Sequence, residues 1–193
     1  MKKIILYSIT LLFVISACKK GPNDPAISLL SRKARVVGEW TIKSGTSTSS
    51  TNSALNKKTN QRYTFTENSY DYFGTDEDNI SYVAKGIYFF KIKFEKNGNV
   101  KITETYDNIT YITNGTWDFN NGVGNNKSKE QILIHVTYAS YPVGSTKFAG
   151  NQTQITYTLT ELRNKKMSLY ESIKEENSDN SSKTITNSYE MKQ

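Results

Sequence analysis

The sequence predicts an all-β domain with one short N-terminal helix, on three observations. Ser, Thr and Asn supply 61 of the 193 residues, and 13 Tyr and 8 Phe stand beside only 3 Pro. Thr, Tyr and Phe fit a pleated, half-buried surface, while Asn and Ser suit tight turns. Apolar side chains recur at every second position, as in Phe90, Ile92 and Phe94, which turns one face of a strand toward a core. Turn residues punctuate these runs, as in Asn97-Gly98-Asn99 between Phe94 and Val100. Ala, Leu and Glu are too sparse for a mainly helical chain.

The N-terminus is set apart from this pattern. Lys2 and Lys3 precede an apolar run from Ile4 to Ile15 that is broken only by Ser8 and Thr10. A spanning helix needs about 20 apolar residues, so the run reads as a signal peptide. It ends in Ile15-Ser16-Ala17-Cys18, which resembles the lipobox of bacterial lipoproteins: an aliphatic residue, two small residues and the Cys that becomes the mature N-terminus. The resemblance implies cleavage after Ala17, a diacylglyceryl thioether on Cys18 and an acyl chain such as palmitate on the new amino group. It divides the chain into a signal peptide (1–17), a lipidated tether (18–25) and one domain (26–193). Two or three acyl chains hold a protein almost permanently where one is marginal. In enterobacterial lipoproteins an Asp after the Cys retains the protein at the inner membrane, and Lys19 stands there instead, which implies the outer membrane. Lys19 to Asp24 lacks the acidic run that tags surface export in some Gram-negative groups, which favours the periplasmic face.

Charge and cysteine usage narrow the chemistry. Loss of Lys2 and Lys3 lowers the formal charge from +7 to +5, and Lys19 and Lys20 beside the anchor suit anionic headgroups at about 1 kcal/mol each. The remainder is too little to argue for nucleic acid. One Cys allows no disulfide within the chain, and one His leaves little material for a nucleophile, base and acid set. No enzyme activity, metal site or cofactor is expected, and the protein is expected to be a monomer.

Asp24 suits an N-cap and Pro25 a first helical residue, and Ile27, Leu30, Ala34 and Val37 follow at helical spacing. The pattern predicts a helix of two to three turns that runs into Gly38-Glu39-Trp40. Gly-x-Trp after a short helix, with an all-β domain behind it and a second Trp-bearing strand at Gly115-Thr116-Trp117, is similar to the lipocalin signature. The resemblance spans residues 27–191 and implies an antiparallel up-and-down barrel of eight to ten strands. In that family the Trp, here Trp40, plugs the closed end, and the Gly, here Gly38, lets the N-terminal segment cross close by. The string nearest to the family's Thr-Asp-Tyr triplet is Val136-Thr137-Tyr138. The family's cation on the Trp would be Arg163, or Arg32 or Arg35 from the helix.

Strands are predicted at 40–43, 61–66, 70–73, 80–84, 86–95, 100–106, 109–119, 131–138, 154–162, 166–173 and 183–191, some of them merging. Alternation assigns Tyr63, Phe65, Phe90, Ile92, Phe94, Val100, Ile102, Trp117, Phe119, Ile132, Ile134, Val136, Ile155, Tyr157, Leu159, Met167 and Leu169 to the inside. Of these, Tyr63, Phe65, Phe90, Phe94, Trp117 and Tyr157 are candidates for core or ligand-lining positions. Ser44 to Asn60 is rich in Ser, Thr and Asn, holds no aromatic residue and predicts a mobile loop, which the lipocalin resemblance would place at the open mouth as a lid and which otherwise is a plain solvated connection. Gly122 to Lys129 and Glu175 to Ser182 read as polar hairpin tips.

Other constellations are weaker. Asp76-Glu77-Asp78-Asn79 offers oxygen ligands without the spacing of a Ca²⁺ loop and reads as an exposed tip. His135 alternates against its aliphatic neighbours and reads as a surface residue. Glu104 with Asp107, and Glu175 with Glu176, could pose as glycosidase carboxylates, but charged strand edges explain them equally well. Tyr70-Asp71-Tyr72-Phe73 with Tyr82 and Tyr88 could stack on sugars or simply pack a hairpin. Two functions follow: a carrier or sensor of a small apolar molecule, or a non-catalytic scaffold for an envelope protein or glycan.

Overall fold

The computed structural model describes residues 30–55, 57–120, 130–140 and 153–193. The signal peptide, Cys18, the tether, Asp24, Pro25, Ile27 and the tip at 122–129 therefore lie outside the described residues. Ten antiparallel strands follow one another up and down: β1 (Gly38–Asn52), β2 (Lys58–Phe65), β3 (Ser69–Thr75), β4 (Ser81–Phe94), β5 (Asn99–Tyr106), β6 (Ile109–Asn120), β7 (Gln131–Ala139), β8 (Gln154–Arg163), β9 (Lys166–Glu176) and β10 (Ser182–Lys192). Each pairs with the next, and β1 pairs with β10, so the sheet closes in a ring.

The ring is not uniform along its axis. The first residues of β1, Gly38 to Thr41, pair directly with Phe94 to Lys91 of β4. From Gly45 onward β1 pairs with β2 instead, and β3 pairs with the first half of β4. The β2–β3 hairpin is thus a wedge: eight strands surround the Trp40 end and ten the other. Because the diameter of a closed sheet grows with strand number, the ring widens away from Trp40.

Two local devices keep the inward faces in phase. A bulge between Ile42 and Ser44 in β1 shifts the parity, so Trp40 and Ile42 point inward below it and Gly45, Ser47 and Ser49 above it. A second irregularity lies at Asn114/Gly115, where a Cβ on Gly115 would run into the His135 carbonyl of β7. Asp107 and Asn108 both take positive φ (47° and 69°), the geometry of a two-residue I′ turn between β5 and β6.

The predicted inward set is buried, save Tyr63 and Val136, which are half-buried and pack against it. Three expectations need correction. Ser44 to Asn60 is not a loop: β1 runs to Asn52 and β2 starts at Lys58. Hydrogen bonding to β10 on one side and β2 on the other holds this hydroxyl-rich stretch extended, and Thr tolerates the pleat. The tip expected at Glu175 shrinks because β9 runs to Glu176 and β10 begins at Ser182, while residues 80–84 and 86–95 merge into β4 as the strand reading allows. The helix α1 (Arg32–Val36) is capped by Ser31, whose hydroxyl accepts from Ala34 N at 3.1 Å.

α1 also turns a different face inward than predicted. Arg32, Arg35 and Val36 are buried, while Leu30 and Ala34 are exposed. The reason is local: Trp40 Nε1 donates to the Val36 carbonyl at 2.8 Å, and Arg35 reaches the Leu162 carbonyl of β8. Those contacts fix the rotation of a helix with too few apolar residues to choose it by burial. Among the described residues no helix is long and apolar enough to cross a membrane.

Candidate functional site

The narrow end is a closed apolar plug. Trp40 is 0% exposed, faces Ile92 across the ladder, and lies with Ile42, Phe94, Val100, Ile102, Leu162 and Met191 in one core. Gly38 has φ +141°, a backbone conformation that L side chains rarely adopt, so the chain enters β1 on a glycine, with the Gln193 side chain close against it. A cation–aromatic contact places Lys33 over Trp117, with Nζ 5.4 Å from the ring centroid, and Arg163 pairs with Glu161. Phe94 and Phe119 meet Trp117 edge-on at 5.1 and 5.9 Å.

Halfway up, the same alternation carries polar groups into the ring. Glu104 continues the parity of Val100 and Ile102, Glu171 that of Met167 and Leu169, and Asn187 lies between Ile185 and Tyr189. Glu104 and Asn187 are 0% exposed and Glu171 is 3% exposed. Tyr88 donates to Glu104 Oε1 at 2.9 Å, and Asn187 Nδ2 donates to Glu171 Oε2 at 2.8 Å. Asn187 Oδ1 is buried and accepts no hydrogen bond from the described residues. Burial first, then the Glu104 carboxylate, holds the Tyr88 hydroxyl well above its ordinary value; burial and Glu171 act likewise on Tyr157, and burial and Glu104 on Tyr189.

Above this layer, toward the ten-strand end, four tyrosines line the inner side. Tyr63 of β2 faces Tyr72 of β3 across the ladder, with ring centroids 4.8 Å apart. Tyr70 stacks on Tyr106 of β5 at 4.6 Å, and Tyr63 stands edge-on to Tyr106 at 6.3 Å. Tyr70 donates to Asp107 Oδ2 at 2.8 Å, and Asp107 Oδ1 accepts from Ile87 N at 3.2 Å, which ties the β5–β6 turn to β4. Burial and the neighbouring Tyr106 hydroxyl raise Tyr63, and burial and Tyr70 raise Tyr106, so both stay protonated at neutral pH.

The candidate residues therefore divide. Phe65, Phe90, Phe94, Trp117 and Tyr157 are fully buried and act as core, with Phe65 stacked on Tyr88 at 4.1 Å and Phe90 on Tyr189 at 4.8 Å. Tyr63 alone of that group reaches the rim. The Tyr70 to Tyr88 string is not one surface: Tyr70 and Tyr88 are buried inside, whereas Phe73 faces out. Glu104 and Asp107 are not strand-edge charges but accept from tyrosines. Glu175 is exposed and Glu176 pairs with Lys174. His135 is exposed with Gln154 beside its Nδ1. Asp76 is spent on its own hairpin tip, accepting from Tyr82, Asp78 N and Ile80 N, which lowers its pKa.

Glu171, Asn187, Tyr189 and Ser47 are interior residues that composition does not flag, though strand parity could have found the first three. No protein-family model and no curated protein sequence matches this chain.

Proposed function

We propose that this protein is a non-catalytic, lipid-anchored binding protein of the bacterial outer membrane, a lipocalin-like barrel on the periplasmic face that takes a small, largely apolar molecule at its wide end. The observation that carries the reading is the tyrosine layer of Tyr63, Tyr70, Tyr72 and Tyr106 where the ring widens from eight strands to ten. Tyrosine offers a broad apolar face with a polar tip, which suits an amphiphilic ligand. The polar layer beneath, with Asn187 Oδ1 still able to accept, favours a molecule that carries a hydrogen-bond donor.

Titration of the purified protein with N-phenyl-1-naphthylamine tests the site. Saturable binding that weakens about tenfold, roughly 1.4 kcal/mol, in Tyr72→Ala is the expected result. A flat response, or one unchanged in Tyr72→Ala, counts against it. The anchor is tested separately: Cys18→Ser abolishes palmitate labelling if the lipobox reading is right, and undiminished labelling rejects it.

A further inference from the structure

The geometry points to a second binding site, on the outer face of the sheet, for an acidic saccharide. This site is independent of the interior one. Two cross-strand rows face outward in register: Thr186, Thr48, Arg62 and Phe73 in one, and Thr184, Ser50, Asn60 and Thr75 in the other, across β10, β1, β2 and β3. Four strands spaced about 4.8 Å apart make a track of roughly 14 Å. A groove of about 320 Å³ lies along it, lined among others by Thr48, Ser50, Arg62, Phe73, Thr184 and Thr186.

Its side chains converge with their binding capacity unspent. Among the described residues, the hydroxyls of Thr48, Ser50, Thr184 and Thr186, the Asn60 amide and the Arg62 guanidinium make no hydrogen bond or ion pair within the protein. Phe73 is 49% exposed at the end of the row.

These groups divide the recognition of a sugar between them. A ring face such as Phe73 takes the C–H side of a pyranose, hydroxyls and an amide exchange hydrogen bonds with its hydroxyls, and a guanidinium grips a carboxylate in a two-pronged fashion. Lys58 lies two residues before Asn60 on the same strand and adds positive charge. A peptide strand is the poorer fit, because all four strands are already paired on both sides and offer no free backbone edge.

Calorimetric titration of the intact protein in detergent micelles, with trigalacturonic acid and with neutral maltotriose, tests the assignment. The acidic trisaccharide is expected to bind saturably and at least tenfold more tightly than the neutral one. Arg62→Gln should erase that preference, and Phe73→Ala should weaken binding about tenfold. Both residues are exposed, so circular dichroism should show the fold of each variant unchanged. Absence of saturable binding by the acid, equal binding of both sugars, indifference to both substitutions, or preference for a polyglutamate peptide would each overturn it.

Discussion

Alkaline unfolding exposes the polar interior most sharply. Tyr88, Tyr157 and Tyr189 are buried, and burial together with the carboxylates of Glu104 and Glu171 lifts all three above the ordinary value of 10.0. The unfolded chain ionises these tyrosines near pH 10 while the folded chain keeps them neutral. Folding therefore holds more protons, and stability is full below pH 10 and falls as pH rises. Each group costs about 1.4 kcal/mol per pH unit above that point, so the three fully buried ones cost about 4 kcal/mol per unit, and the half-buried Tyr63 and Tyr106 add to the loss. A domain stable by about 5–10 kcal/mol then unfolds below about pH 12.5. The assay follows tyrosinate absorbance and far-ultraviolet circular dichroism together. Ionisation of the buried set should appear in one step with the loss of strand signal, and Tyr157→Phe should flatten the loss by about 1.4 kcal/mol per pH unit. If the tyrosines of the domain all titrate smoothly near pH 10 with the strand signal intact, the interior arrangement of Tyr88, Tyr157 and Tyr189 is refuted.

Three further perturbations follow from named contacts. Trp40→Ala empties the plug of the narrow end and should cost about 3–5 kcal/mol in denaturant unfolding, whereas Trp40→Phe should cost nearer 1 kcal/mol, for the hydrogen bond to Val36. Asp107→Ala removes the acceptor for both Tyr70 and Ile87 N and should cost about 1–3 kcal/mol, read as a lower thermal midpoint. Gly115→Val drives a side chain into the His135 carbonyl and should destabilise by about 1–3 kcal/mol or more, again by denaturant titration.

Much of this architecture is legible in the sequence, because a half-buried strand writes its inward face into every second residue: Phe90, Ile92 and Phe94, or Met167 and Leu169, need no tertiary knowledge. Ser44 to Asn60 is illegible for the opposite reason. Its inward residues above the bulge are Gly45, Ser47 and Ser49, so alternation has no apolar signal, and pairing with β2 on one side and the sequence-distant β10 on the other holds it extended. The bulge at Lys43 also breaks parity, which hides the continuation from Trp40 and Ile42.

The polar layer escapes notice because a charged side chain is by default assigned to solvent. Glu104 and Glu171 violate that default while obeying strand parity, and parity proves the better guide. The tyrosine string from 70 to 88 misleads in the same way: a run of similar residues in a strand is split by the pleat between two faces, so Tyr70 goes in and Phe73 goes out. The wedge formed by β2 and β3 leaves no mark on local pattern, since it depends on β1 exchanging β4 for β2 partway along its length.

The closed, widening ring is tested most directly by nuclear Overhauser contacts and amide exchange along β1. Cross-strand contacts should join Thr41 to Lys91, Ser47 to Tyr63 and Ser47 to Asn187 in the same molecule, with protected amides from Gly45 to Asn52. Freely exchanging amides over that stretch, without contacts to β10, would mean that the sheet is open and that no interior exists for a ligand to enter.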